Sequence, residues 1–328
     1  MVAGAGLLQA SRLLYARPES TGLLKACQFR MLPEELSDVE KFRLAKRCGF
    51  QGIEHSPMDD LNAARELGAL SRQEGVPIHS ISYGGWSAPF SDPRPEVVDK
   101  GLVDMEAALR SADAQGAEVV LLVPAVVTEE VGYAEAYRRS QTNIRKLLPL
   151  ADELGVTIAV ENVWNKFLLS PVEFARYIDE FDSPRLRAYI DVGNMILFGF
   201  AQDWLRTVGR RVIRIHLKDF RRKGHEWTNL LDGDVNWLQV RKALEEIGYN
   251  GYLTTELQAG GEAYLTDLAN RIDRIISMVW DAQTHPAPGP ATSDCCPRDY
   301  LVGYKKSSRP KASHFRELAS DSWSQNRR

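Results

Sequence analysis

No apolar run in the chain approaches the roughly 20 residues needed to span a bilayer, so no membrane partner is expected. A disulfide framework is also missing. Of four cysteines in 328 residues, Cys27 and Cys48 fall inside apolar segments, and Cys295 and Cys296 are adjacent. That spacing forms no zinc motif either, so a reducing cytoplasm is the expected location. There is no excess of positive charge: 41 Lys and Arg stand against 44 Asp and Glu, a formal net charge of −3. Nucleic acid is therefore not an expected partner. P-loop and GxGxxG fingerprints are absent, which removes the usual support for nucleotide binding. Histidine is scarce, with six in all. The N-terminal stretch carries Arg12 and Arg17 and no acid before Glu19. Its apolar part is short and broken, so no targeting segment is expected.

What is present is an ordinary globular composition, 44% hydrophobic and 26% charged. Strand and helix signals alternate over about residues 24–282. Candidate strands are 26–31, 52–55, 77–82, 118–123, 156–161, 187–191, 212–216 and 251–256. Helical patterns lie between them at 37–48, up to about 74, 95–115, about 129–154, 171–181, near 204–209, up to about 247, and 262–280. Several carry end signals. Ser37 and Ser170 read as N-caps, Pro171 as a first helical residue, Gly49 as a stop, and Asp234 or Asn236 as a cap. Eight strand–helix units favour a closed parallel (β/α)₈ barrel over an open sheet. Residues 1–23 read as an N-terminal extension. Residues 283–328, rich in Pro, Ser, Lys and Arg, read as a disordered basic tail, because they cannot bury enough apolar surface to offset chain ordering.

Four of the late strands end in a metal-binding residue: Glu161, Asp191, His216 and Glu256. A charge that closes an apolar strand sits at the strand's carboxyl end, where barrels carry their chemistry. The spacings are 30, 25 and 40 residues. Each approximates one strand–helix unit, so the four would face one mouth. Two glutamates, an aspartate and a histidine form a mixed oxygen and nitrogen set suited to a hard or borderline divalent ion. One ion is expected, Mn²⁺ first, with Mg²⁺, Co²⁺ or Zn²⁺ as alternatives. Each residue alone is as readily a salt-bridge partner or a packed histidine; the joint pattern carries the reading.

Six segments complete the picture: GFQGIEHS (49–56), AVENVWNKFLLSP (159–171), YIDVGNMILFG (189–199), RIHLKDF (214–220), LLDGDVNW (230–237) and GYLTTEL (251–257). With them the chain resembles the xylose-isomerase-like TIM barrels, the sugar phosphate isomerase/epimerase family, over about residues 24–282. Within that family it is most similar to 3-epimerases of ketoses and ketopentose phosphates. The resemblance implies one divalent ion held by Glu161, Asp191, His216 and Glu256. It also implies that Glu161 and Glu256 form the acid/base pair, and that the partner is a small sugar or sugar phosphate. Members of this family often dimerise, so a homodimer or homotetramer is expected. The chemistry is consistent with this. Epimerisation beside a carbonyl removes a carbon-bound proton on one face and returns one on the other, which needs two proton carriers.

Further positions are candidates for substrate binding. Glu54, His79 and Trp86 lie at or after the second and third strands. His79 reads as a hydroxyl partner, Trp86 as an apolar wall or a packed loop aromatic, and Glu54 as a contact or an orienting group. Asn194 stands where free-ketose 3-epimerases tend to carry His, and Phe167 where they tend to carry Glu; both departures favour a phosphorylated or otherwise different substrate. Lys218 and Arg222 read equally as phosphate contacts or as solvated charges. His225 reads as part of a covering loop or as an exposed side chain, and Gly260-Gly261 as a phosphate-binding helix start or plain helix geometry. The same scaffold also carries aldose–ketose isomerases and inosose dehydratases. Endonuclease IV-like repair enzymes need more histidines and a basic groove. A barrel that only binds a sugar is the non-catalytic alternative.

Overall fold

The computed structural model describes residues 22–279. The expected tail at 283–328 and nearly all of the expected extension at 1–23 lie outside these residues. Eight parallel strands close a barrel: β1 (Leu23–Gln28), β2 (Gly52–His55), β3 (Ile78–Gly84), β4 (Val119–Leu122), β5 (Thr157–Glu161), β6 (Leu186–Asp191), β7 (Val212–Leu217) and β10 (Gly251–Thr255). β1 lies between β10 and β2 and seals the ring, with Leu23 opposite Gly251 and Ala26 opposite Gly52. Helices alternate with the strands: α1 (Asp38–Cys48), α2 (Leu61–Gln73), α3 (Pro95–Gln115), α4 (Tyr133–Glu153), α5 (Pro171–Asp179), α6 (Ala201–Val208), α7 (Trp237–Glu246) and α8 (Glu262–Ile276). None of the described helices is long and apolar enough to cross a membrane.

Local chemistry accounts for many boundaries. Ser37 and Glu40 form a capping box that starts α1, and Gly49, at φ 96°, stops it in the left-handed region that glycine tolerates. Ser170 caps α5 ahead of Pro171. Of the two candidate caps for α7, Asn236 takes the role, its side chain accepting from Gln239 N. β4 and β5 are buried along their whole length, as expected of strands covered on both faces.

Most buried apolar side chains lie in one continuous core. A smaller cluster of Val119, Leu121, Ala159 and Tyr189 is separate. The Tyr189 hydroxyl reaches Glu54 on β2, a strand not adjacent to β6, so this second cluster lies inside the barrel.

Two differences from the sequence reading affect the mouth. The first strand was expected at 26–31; it runs from Leu23 to Gln28, and residues Phe29–Met31 form a 3₁₀ turn. Pairing with β10 sets this register, and the turn directs Met31 and Leu32 into the core. A short antiparallel ribbon, β8 (Asp219–Arg221) with β9 (Glu226–Thr228), follows β7 directly. Three-residue strands in a charged segment carry no readable alternation, which is why the sequence did not disclose them.

Candidate metal centre

Glu161 and Asp191 are the last residues of β5 and β6, His216 is the penultimate residue of β7, and Glu256 follows β10 directly. Strand register brings them together: Asp191 pairs with His216, and His216 with Thr254, two residues before Glu256. One ligand atom from each of the four lies within 4.8 Å of the others. Glu161, Asp191 and His216 are buried, and Glu256 is the most accessible member. His216 is the hub. Its Nδ1 lies 2.9 Å from Glu161 Oε1 and 3.1 Å from Glu256 Oε2. Its Nε2 lies 2.9 Å from Glu54 Oε1.

That arrangement leaves Nδ1 facing the cluster and gives Nε2 a carboxylate partner, the pattern that orients metal-binding histidines. Glu54 is fully enclosed. It also accepts from Gln28 Nε2 (2.7 Å), Ser80 Oγ (2.9 Å) and Tyr189 OH (2.6 Å). Burial pushes its carboxyl up, but the His216 charge and the hydrogen bonds from His216, Tyr189 and Gln28 outweigh this and hold it at about 2. Burial raises Glu161 to about 7 despite its bond to His216. Burial likewise raises Asp191. It works the same way on Glu256, but His216 and Lys218 prevail and hold that carboxyl well below the usual range. For His216, burial lowers the imidazole, and the charges of Glu54, Tyr189 and Glu256 more than reverse this.

The donor set fits a divalent cation. Three carboxylates and an imidazole converge on one place. Asp191 Oδ1 accepts from Gly193 N (2.7 Å) and Asn194 N (2.9 Å). Its buried Oδ2 accepts no well-formed hydrogen bond, although Lys218 Nζ stands 3.1 Å away. Lys218 Nζ is also 2.8 Å from Glu256 Oε2. A side chain on Gly193 would meet Lys218 Cβ at 2.7 Å, so glycine there permits the Lys218 backbone to approach the Asp191 turn.

The remaining candidates are dispersed. His79 does not face the mouth. Arg214 Nε reaches its Nδ1 at 3.2 Å, Thr254 Oγ1 lies 3.2 Å from its Nε2, and Tyr252 stacks on it at 4.0 Å. Both ring nitrogens are engaged by side chains of the barrel interior. Glu54 is likewise buried, and one of its oxygens is bonded to His216 Nε2. Trp86 is half-exposed and borders a separate hollow with residues 128–131. Arg222 is committed to chain geometry: Nε donates to Ile196 O (2.8 Å) and Nη2 to Gly199 O (2.9 Å). Asn194 donates from Nδ2 to Asn162 O (2.8 Å). His225 sits exposed between β8 and β9 at φ 54°. Gly260 N donates to Met31 O, and Gly261 stands at the start of α8.

The sequence reading passed over several residues that shape the centre. Asn162 acts as a clamp: Nδ2 donates to Asp191 O (2.9 Å), and Oδ1 accepts from Asp191 N (2.8 Å). Its place directly after Glu161 was the available signal. Asp219 ties two of the family-like segments together, accepting from Val235 N (3.1 Å) and from Trp237 Nε1 (2.8 Å). Gln28, Ser80 and Tyr189 gave no local signal, because their role exists only across the barrel. Phe167 is buried against Tyr133, Tyr137 and Tyr177.

An eight-stranded parallel barrel that gathers a carboxylate–histidine cluster at its strands' carboxyl ends has the architecture of a TIM barrel. Residues 42–275 match the family described as the xylose isomerase-like TIM barrel, and the chain belongs to that family. An uncharacterised protein of Methanocaldococcus jannaschii is 26% identical over 52% of this chain, and the match spans 62% of that relative's length. The L-ribulose-5-phosphate 3-epimerase UlaE of Shigella flexneri is 23% identical over 70% of this chain and 84% of its own length. Among solved structures, an L-ribulose 3-epimerase superposes with a TM-score of 0.67 at 16% identity, covering 77% of this chain and 94% of that one.

Proposed function

We propose that this chain is a divalent-metal-dependent epimerase that inverts C3 of a ketose or ketopentose phosphate, with Glu161 and Glu256 as the proton carriers. The chain is an enzyme of the isomerase class, and relatives named as epimerases support that. One observation carries the finer reading. Two glutamates from different strands, β5 and the end of β10, bring oxygens to 2.9 and 3.1 Å from the same histidine nitrogen. A substrate carbon seated over that nitrogen would have both carboxylates within reach, and removal of a proton from one face with return to the other needs two such carriers.

Glu161, Asp191, His216 and Glu256 would hold the ion. When bound, a divalent ion supplies Lewis-acid stabilisation for negative charge developing on the substrate's oxygens. Asp191 is fixed by two backbone donors and Asn162, and His216 by Glu54; both are positioning groups. Glu161 and Glu256 exchange protons with the substrate carbon through their carboxylate oxygens.

The test incubates the metal-loaded protein with ketopentose phosphates and free ketoses in D₂O. Deuterium at C3 with inversion is the expected result. Label at C1 or C2 with aldose formed would replace the proposal with isomerisation, and elimination would replace it with dehydration. Glu256→Gln is expected to abolish exchange on one face while metal stays bound. Unchanged turnover would remove Glu256 from the mechanism.

A further inference from the structure

A cavity of about 400 Å³ opens between the loop after β5 and the loop after β6. That volume lies in the range of small-molecule sites. Its lining is mainly apolar, including Phe167, Leu169, Leu197, Phe198 and Trp204, and its two asparagines are Asn162 and Asn194. These are the residues clamped around Asp191, so the cavity begins where the metal cluster ends. A chain of aromatic contacts makes the same connection. Lys218, paired with Asp191 and Glu256, holds its ammonium 5.2 Å from the Trp227 ring. Trp227 stacks on Trp164 at 5.2 Å, and Trp164 lines the cavity while donating to Asn194 O at 2.7 Å.

The rim is more apolar than solvent alone would favour. Leu169 is 61% exposed and Phe198 74% exposed. Lys166 and Leu168, both non-glycine, sit at φ 60° and 51°. Such backbone persists where surrounding structure enforces it, and it clusters at ligand-binding loops.

We infer that this cavity is a second subsite, which receives an apolar substituent carried by the sugar substrate. The inference rests on the epimerase reading for the sugar itself. The reacting C2 and C3 face the four-residue cluster, so the substituent belongs on a carbon remote from them. A concave site lined by Asn162, which follows Glu161, and by Asn194, whose N–H donates to Asp191 Oδ1, suits one part of a bound molecule better than a flat partner surface.

The experiment measures binding of D-fructose, D-fructose 6-phosphate and 6-O-benzyl-D-fructose to the Mn²⁺-loaded full chain by tryptophan fluorescence and calorimetry. Deuterium exchange at C3 is followed in parallel. The benzyl ether is expected to bind at least roughly tenfold more tightly than D-fructose, the gain from burying one aromatic ring. In the double variant Leu169→Asp, Phe198→Asp that ratio is expected to fall to about one. Both side chains are exposed, so folding should survive, and circular dichroism checks it.

Equal affinity for the ether and the free ketose would overturn the inference. So would a preference retained in the double variant, or tighter binding of the 6-phosphate than of the ether. A wild-type dimer that the double variant dissociates, with no ether preference, would assign the surface to a second copy and also overturn it. Absence of C3 exchange with every sugar would count against the epimerase reading alone, because the binding ratio is read without turnover.

Discussion

Glu54→Gln separates orientation of the metal centre from mere packing. The carboxylate receives four donors on two oxygens, His216 Nε2 and Gln28 Nε2 on Oε1, Ser80 and Tyr189 hydroxyls on Oε2. A carboxamide keeps the shape but must place its NH₂ at one of these positions. Hydroxyls can turn to accept, whereas Gln28 presents an NH₂, so the amide nitrogen settles toward Ser80 and Tyr189. The His216 contact therefore survives but loses the negative charge of its acceptor. Losing a charge-assisted bond costs about 1.5–3 kcal/mol. The expected fall in Mn²⁺ affinity is about 10- to 100-fold, the usual effect of removing a partner of a metal-binding histidine. The melting temperature of the metal-free protein should drop by several degrees, at about 2–4 °C per kcal/mol for a large domain. Chelator competition and calorimetry measure the two effects. Mn²⁺ affinity within about twofold of wild type, with Tm unchanged, would refute the orienting role. Alanine is a poorer choice: it strands up to four buried donors at about 1–3 kcal/mol each, a large share of a domain's whole stability. The pH dependence has a definite sign. Glu54 is held at about 2 against an ordinary 4.5. Its contribution is present above the unfolded-state value and is lost as pH falls through about 2. The stability gap between wild type and Glu54→Gln should therefore narrow in acid.

Three further substitutions probe separate levels of the structure. Lys218→Met removes the ammonium between Asp191 and Glu256. The metal-free protein should lose about 3 kcal/mol, the scale for breaking a buried pair, and the rise in Tm on adding Mn²⁺ should grow; an unchanged rise would show that Lys218 does not occupy the cation's place. Gly193→Ala forces a methyl to 2.7 Å from Lys218 Cβ and 2.9 Å from its backbone. A loss of about 1–3 kcal/mol is expected by thermal melting, with weaker Mn²⁺ binding, and an unaltered Tm would contradict the close approach. Ser37→Ala removes the α1 cap remote from the site; denaturant melts should show a loss of about 1 kcal/mol with Mn²⁺ affinity retained.

Both the barrel and the positions of the four cluster residues were legible in the sequence. Buried parallel strands read as continuous apolar runs, and Glu161, Asp191, His216 and Glu256 each stand out as a charge closing such a run. That is local information, and eight alternating units leave few architectures able to bury them. The helix starts at Ser37 and Ser170 were legible for the same reason, because a cap acts on the backbone within three residues, and the start of α7 was narrowed to Asp234 or Asn236. The β8–β9 ribbon was not, because its strands are short and charged, and their pairing depends on Asp219 anchoring the segment that follows.

By itself, then, the sequence determined the order of elements and which residues stand at the strand ends. Only the tertiary structure decided what each charged or polar side chain meets. His79 and Glu54 lie on neighbouring strands and look alike in sequence. Register puts Glu54 against His216 and leaves His79 against Arg214. Lys218 and Arg222, four residues apart, read alike as phosphate contacts or as solvated charges. The first lies between two carboxylates, and the second is bound to carbonyls of the β6–α6 loop. Partners across a barrel depend on strand adjacency, register and the reach of each side chain, and none of these is a property of a contiguous stretch of chain.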